Sequence, residues 1–142
     1  MNETVHTALP ATTDSSMVTY AHIIYALHAL SVVIGLTSAA TVVGAFIFGL
    51  PSIIGVIMNY VKQSAVRGTW LASHFRWQIR TFWFAFLWIV VVTILSFPLV
   101  FLLGLGILTY YIGVIAIGLW LAYRVIRGWM ALRERRPMYE GA

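Results

Sequence analysis

The stretch TFWFAFLWIVVVTILSFPLVFLLGLGILTYYIGVIAIGLWLAY, residues 81–123, contains no Asp, Glu, Lys or Arg. At about 1.5 Å per residue a single helix of this length reaches about 65 Å, roughly twice the ~30 Å hydrocarbon core of a bilayer. A second stretch without formal charge covers residues 15–61. Each stretch therefore predicts a hairpin of two membrane-spanning helices.

The composition excludes several classes of protein. The 142 residues are 61% hydrophobic and only 9% charged, with a mean hydropathy of +0.92, whereas an average soluble domain is about 25% charged. A soluble enzyme, a nucleic-acid-binding domain and a disordered protein are excluded together. The absence of cysteine excludes disulfides, thiolate metal sites and thiol catalysis.

Turn-forming residues divide each uncharged stretch into two helices. They are Gly35, Thr37 and Ser38 in the first stretch and Pro98, Gly104 and Gly106 in the second. The sequence thus predicts an all-α bundle of four transmembrane helices near 17–35, 41–61, 78–101 and 107–124, with a basic loop at 62–77. Pro51 either kinks the second helix or breaks it, so a re-entrant segment over 41–50 stays open as an alternative.

The cations predict the orientation of the bundle. All nine Lys and Arg side chains fall in the central loop, at the start of the third span or from Arg124 onward, and none lies in the two hairpin turns. Because positively charged segments stay in the cytoplasm, both termini are expected there. Residues 1–16 lack the basic start of a signal peptide and predict a disordered tail. Residues 125–142 predict a basic tail along an anionic membrane surface.

The stretch RGTWLASHFRWQIR, residues 67–80, is the most informative for function. We expect Thr69 to cap a helix that starts at Trp70, with one face formed by Trp70, His74, Trp77 and Thr81. Arg76 and Arg80 lie on another face, where their side chains reach the lipid headgroups. The predicted lipid- or partner-binding residues are Lys62, Arg67, Trp70, His74, Arg76, Trp77 and Arg80. No carboxylate is placed to orient His74 as a general base, so no enzyme activity is expected.

Two histidines lie in the first span. His22 and His28 are six residues apart, about 240° around one helix, and cannot ligate the same iron together. We expect His22 at the membrane interface and His28 hydrogen-bonded to a neighbouring helix, with no metal and no cofactor. His28 is placed in the cytoplasmic half of its span, so the sequence gives no support for proton- or ion-coupled transport. Asn59 is expected to bond across to another helix.

Small residues recur four apart in the first hairpin. The pairs are Gly35 with Ala39, Ala40 with Gly44, and Ala45 with Gly49. Such spacing lets membrane helices approach closely, which fits either packing within the chain or a homodimer.

Three segments carry a resemblance to a known family: SIIGVIMNYVK at 52–62, SHFRWQIRTFW at 73–83 and YRVIRGWMALRERRPMY at 123–139. Over about residues 20–139 the chain resembles small proteobacterial four-span membrane proteins of unknown function, distantly related to the chloroplast inner-envelope import subunit Tic-twenty. The resemblance implies a four-helix protein of the bacterial inner membrane. The central loop here lacks the acidic residues that many members carry, and the family supplies no catalytic residue.

The function expected from these patterns is that of a small accessory or scaffold protein. Its partners would be anionic lipid headgroups, and either a membrane protein or a second copy of the chain; no nucleic acid and no small-molecule substrate is indicated. A pore or protein-translocation component is one alternative. A haem-binding electron-transfer subunit that uses His22 or His28 is another.

Overall fold

The computed structural model consists of four long helices joined by short connections. It describes residues 13–38, 42–102 and 104–139, apart from the side chains of residues 38 and 42–48. The helices are α1 (Ser15–Ser38), α2 (Val42–Lys62), α3 (Leu71–Leu99) and α4 (Leu105–Arg133), and a 3₁₀ turn, Gln63–Val66, precedes α3. No strand occurs in the described ranges, so the all-helical prediction is confirmed there.

Three of the helices are long and apolar enough to cross a membrane: Ser15–Thr37, Leu71–Leu99 and Leu105–Arg133. Their outward faces carry large apolar side chains such as Trp88, Ile94 and Leu119, each at least half exposed. A helix whose outer face is this apolar requires lipid rather than water around it. The chain is therefore a membrane protein.

The helices extend beyond the predicted spans. α3 begins at Leu71, so residues 71–77, assigned to the basic loop, form its first two turns. Thr69 does not cap this helix, because its hydroxyl donates to the carbonyl of Val66 at 2.7 Å. α1 begins at Ser15, inside the predicted tail, while residues 1–12 lie outside the described part of the chain.

The connections agree only partly with the predicted turns. α1 runs through Gly35 and Thr37, and the link at 39–41 lies outside the described residues. α2 continues through Pro51 without a break. The turn between α3 and α4 is where the sequence placed it, with Gly104 at a φ of 73° that favours glycine.

α1 begins at a side-chain cap outside the apolar region. The Asp14 carboxylate accepts the backbone N–H of Ser16 at 2.9 Å, which satisfies one of the free donors of the first turn. This hydrogen bond lowers the pKa of Asp14 below its ordinary value.

α4 ends in a Schellman motif. Arg135 adopts a positive φ of 53°, its N–H donates to the carbonyl of Leu132, and the N–H of Arg136 donates to that of Ala131 at 2.9 Å. The chain then turns back toward α3. Of the predicted basic tail, residues 125–133 belong to α4 and residues 134–139 pack against α3.

α1 contacts the three other helices. On α4, Gly118 and Gly128 allow the close approach, since a Cβ at Gly128 would lie 2.5 Å from the Tyr25 hydroxyl and one at Gly118 would lie 2.8 Å from Leu36. These two glycines form the close contact between α1 and α4. The small-residue pairs of the first hairpin fall largely on residues outside the description, so the choice between packing and a homodimer is untested.

Polar side chains join α1 to α2. The Tyr20 hydroxyl donates to the Met58 carbonyl at 3.0 Å, and His28 Nδ1 shares a hydrogen bond of 3.0 Å with Ser52 Oγ. The prediction that His28 bonds to a neighbouring helix is confirmed. His28 nevertheless lies at the middle of α1, so its placement in one half of the span was wrong. The Asn59 amide is fully buried, and neither of its polar atoms has a partner in the described part of the chain, contrary to expectation.

Candidate functional site

One end of the bundle carries the basic residues. Antiparallel helices bring the start of α1 and α3 and the end of α2 and α4 to the same end, as the hydrogen bond from Trp129 Nε1 to His22 Nδ1 shows. The predicted cations there are exposed: Lys62, Arg67, Arg76 and Arg80. Within the described residues only Arg136 pairs with a carboxylate, that of Glu134. This end therefore presents an excess of positive charge, since Asp14 and Glu134 are the only carboxylates among the described residues there.

The face of α3 that begins at Trp70 turns into the bundle. His74 is fully buried, Trp77 is 8% exposed and Thr81 is buried, whereas Trp70 is half-buried against His74. The sequence identified the shared face correctly. Trp77 was also predicted to bind lipid or a partner, and its indole lies inside the protein.

His74 connects three separate segments. Its Nε2 lies 2.7 Å from the carbonyl of Arg136, and its Nδ1 lies 3.0 Å from the hydroxyl of Tyr25. A carbonyl only accepts, so Nε2 carries the proton, and Nδ1 must then accept from Tyr25. Both ring nitrogens are therefore occupied, and His74 acts as a hydrogen-bonding link between α1, α3 and the segment after α4.

The segment after α4 packs on the same face of α3. The N–H of Met138 donates to Ser73 Oγ at 2.9 Å, and the Tyr139 ring lies 6.0 Å from Trp77 between ring centroids. Ser73 also donates to the Trp70 carbonyl at 2.7 Å, so its hydroxyl is satisfied on both sides. These contacts hold Tyr139 beside the basic residues of α3 and α4.

Three arginines surround the aromatic rings at this position, and we call Arg80, Arg124 and Arg127 the guanidinium cluster. The guanidinium carbon of Arg124 lies 3.7 Å from the centroid of the Trp77 ring, and that of Arg127 lies 5.6 Å from it. Arg80 lies 5.9 Å from the Tyr139 ring centroid. Cation–π contacts of this kind lower the cost of holding like charges together.

Arg124 is fixed more firmly than its neighbours. Its Nε donates to Thr81 Oγ1 at 2.8 Å, and its own carbonyl accepts the Trp77 indole N–H at 3.2 Å. The Arg124 guanidinium also forms a side-chain hydrogen bond with Tyr139, the residue whose ring Arg80 approaches. A phosphate or sulfate oxygen is the group that such a set of donors binds best.

Sequence reasoning missed Arg124 and Arg127 as site residues. Both were counted among the cations that set the orientation, and Arg124 was taken only as the end of the fourth span. The available signal was their spacing of three, which puts both on one helical face. Their meeting with Trp77 depends on the packing of α3 against α4, which no local pattern contains.

The two histidines of α1 engage separate partners. His22 is half-buried and accepts from Trp129, beside an open groove of about 580 Å³ that Arg133 also lines. His28, six residues further along α1, is hydrogen-bonded to Ser52 of α2. The described residues contain no group of three His, Cys, Asp or Glu side chains able to hold a metal.

No protein-family model, no curated protein and no solved structure matches this chain. The resemblance to small four-span proteins accordingly stays a prediction.

Proposed function

We propose that the protein crosses the bacterial inner membrane four times, with both termini in the cytoplasm, and binds anionic lipid headgroups at its cytoplasmic end. In this function it is a non-enzymatic accessory or scaffold protein. The single observation that carries the proposal is the guanidinium cluster, three cations around Trp77 and Tyr139 with no carboxylate among the described residues to neutralise them.

The continuity of α2 supports the fourth crossing. It has 21 residues and runs antiparallel to α1, and at about 1.5 Å per residue it spans about 31 Å, the thickness of a hydrocarbon core. A re-entrant segment would need a break near Pro51, and the helix has none. The orientation follows from the cations gathered at one end, because positive segments remain cytoplasmic.

The site has two parts in this proposal. Lys62, Arg67 and Arg76 are exposed and attract anionic lipid through long-range charge, at about 1 kcal/mol per cation. The guanidinium cluster, which includes the predicted residue Arg80, forms the binding site for one phosphate group. Attraction through exposed charges falls with salt, whereas a phosphate contact with Arg124, which is half-buried and hydrogen-bonded to Thr81, is screened less.

The proposal is tested with protein in nanodiscs of phosphatidylcholine that contain a fixed fraction of phosphatidylglycerol. Lipid retained after gentle extraction is counted by native mass spectrometry at low and high salt. The test variant is Arg80→Gln with Arg127→Gln, and the control is Lys62→Gln with Arg67→Gln, which removes the same charge outside the guanidinium cluster.

We expect both double variants to lose anionic lipid at low salt, by about thirtyfold for two cations. At high salt the control should bind as the wild type does, while the Arg80 and Arg127 variant should still be deficient. Equal losses of bound anionic lipid in both variants at each salt concentration would show diffuse electrostatic attraction without a specific binding site. Retention unchanged in both would reject lipid binding altogether.

A further inference from the structure

An open groove of about 580 Å³ lies between α1 and α4 at the basic end of the bundle, and it is lined by His22, Ile126, Trp129, Met130 and Arg133. The four residues of α4 share one helical face, because they are spaced three, four and seven apart. Ile126 and Met130 are each more than half exposed. The groove therefore runs along α4 for about 10 Å, from an arginine at the helix end to apolar side chains nearer the middle of the membrane.

The groove offers an N–H donor whose proton has a fixed position. The Trp129 indole N–H donates to His22 Nδ1 at 2.9 Å, and an indole can only donate, so Nδ1 accepts and Nε2 carries the proton. Among the described residues Nε2 has no partner, and it is not one of the buried atoms in that state, which belong to His28, Asn59 and Gln78. The half-buried His22 ring lines the groove, so its N–H is open to a ligand there.

Arg133 brings a positive charge to the same groove. Its side chain is exposed, and the ion pair found within the described residues joins the neighbouring Glu134 to Arg136 instead. His22 stays neutral, because a second ring proton would break its hydrogen bond with the indole. One guanidinium beside a neutral N–H favours an anion of a single charge.

We propose that this groove binds a free long-chain fatty acid, with the carboxylate hydrogen-bonded to Arg133 and to His22 Nε2 and the chain lying over Ile126 and Met130. A guanidinium and a carboxylate form paired hydrogen bonds, and the imidazole N–H adds another. The apolar part of the lining is a single stripe on one helix, which covers one hydrocarbon chain rather than two.

The depth of the imidazole favours a fatty acid over a phospholipid. His22 lies seven residues into α1, about 10 Å from its first residue, so the N–H is set below the ends of the helices. A carboxylate is the end of its molecule and reaches this depth with both oxygens free, whereas a phosphodiester is flanked by glycerol and a second alcohol. The inference uses no residue of the guanidinium cluster and does not depend on lipid binding there.

Photolabelling of protein in phosphatidylcholine nanodiscs tests the proposal at physiological ionic strength, which screens distant charges. The two probes are a long-chain fatty acid with a diazirine midway along its chain and the uncharged alcohol of the same chain. Labelled residues are located by mass spectrometry of peptides. We expect the acid to label the groove around Ile126 and Met130, and the alcohol to do so about tenfold less at equal, subsaturating amounts in the membrane, which is the effect of losing a charged hydrogen bond.

Four variants locate the binding. Arg133→Gln should lower labelling by the acid about tenfold, whereas Arg135→Gln, which removes the same charge at an exposed position outside the groove, should label as the wild type does. His22→Phe should weaken labelling by the acid and leave labelling by the alcohol unchanged. The double variant Arg80→Gln with Arg127→Gln should keep wild-type labelling, which separates this groove from the guanidinium cluster.

Equal labelling by the two probes in the wild type would overturn the proposal, because the groove would then hold any hydrocarbon chain. Equal losses in Arg133→Gln and Arg135→Gln would overturn it as well, since the acid would then respond only to overall charge. Displacement of the acid by phosphatidylglycerol added to the nanodiscs would overturn it in favour of a phospholipid. The comparison of probes in the wild type needs no variant, so a folding failure of His22→Phe leaves the proposal testable.

Discussion

Replacement of Gly128 by alanine tests the contact between α1 and α4, because close packing and helix propensity predict opposite changes in the free energy of unfolding. A Cβ at this position would lie 2.5 Å from the Tyr25 hydroxyl oxygen and 2.7 and 2.8 Å from Cε1 and Cζ of the ring. Tyr25 has little freedom to retreat. Its hydroxyl is bonded to His74 Nδ1, and its ring stacks on Trp129 with the planes 11° apart.

Three contributions to the free energy of unfolding act in this variant, two that lower it and one that raises it. Overpacking of a filled interior costs about 1–3 kcal/mol, and displacement of the Tyr25 hydroxyl loses a hydrogen bond of about 1 kcal/mol. Glycine to alanine within a helix gains about 1 kcal/mol. We therefore expect Gly128→Ala to lower the free energy of unfolding by about 1–3 kcal/mol, whereas helix propensity alone predicts an increase.

The assay is equilibrium unfolding by SDS in mixed micelles, followed by tryptophan fluorescence, to which Trp129 beside Tyr25 contributes. Gly49→Ala is the control, because among the described atoms a Cβ there meets only Ile53 Cδ1, at 3.7 Å. Adding Tyr25→Leu to Gly128→Ala removes all three clashing atoms and should make the alanine less harmful. A Gly128→Ala protein as stable as the wild type would refute the close approach of these helices.

Two further perturbations act at the ends of the helices. Ser73→Ala removes the acceptor for the Met138 N–H. Loss of this hydrogen bond should destabilise the docked C-terminal segment by about 1 kcal/mol and raise the rate of tryptic cleavage after Arg135 about fivefold. Ser64→Ala, at an exposed position, serves as control, and an unchanged rate in Ser73→Ala would contradict the docking of this segment. The folded pKa of Asp14 lies below its unfolded value, so its stabilisation of α1 is complete above about pH 4 and is lost as the pH falls through the folded pKa. Hydrogen exchange of the amides in the first turn of α1 should therefore accelerate, relative to Asp14→Asn, as the pH falls from about 4 through the folded pKa of Asp14.

Charge distribution and helical periodicity were sufficient for the architecture. Two uncharged stretches fixed the order of four helices, and the glycine at 104 fixed the turn between the last two. The helix expected to start at Trp70 begins at Leu71, although the third span was placed only from residue 78, because the polar and basic residues at 71–77 match a loop in composition. They are helical since one side of this segment packs on α1 and the C-terminal segment, which a composition window does not register.

Only part of the candidate site could be predicted from the sequence. The spacing of Trp70, His74 and Trp77 predicted one shared face correctly, yet tryptophan beside arginine is equally typical of a membrane interface and of a buried cation–π contact. What decides between them is the docking of Met138 and Tyr139, more than 60 residues further along the chain. Asn59 shows the opposite case, since its polarity suggested a hydrogen bond between helices, and no described residue makes one with its side chain.

The contact between His74 and the Arg136 carbonyl has a consequence for how the protein is made. The two residues are 62 positions apart, so the acceptor has not yet been synthesised when His74 leaves the ribosome. The imidazole N–H has no Arg136 carbonyl to bind until α4 and the segment after it have been made. Closure of the basic end is thereby a late step of folding, and a product truncated before Arg136 would lack this closure.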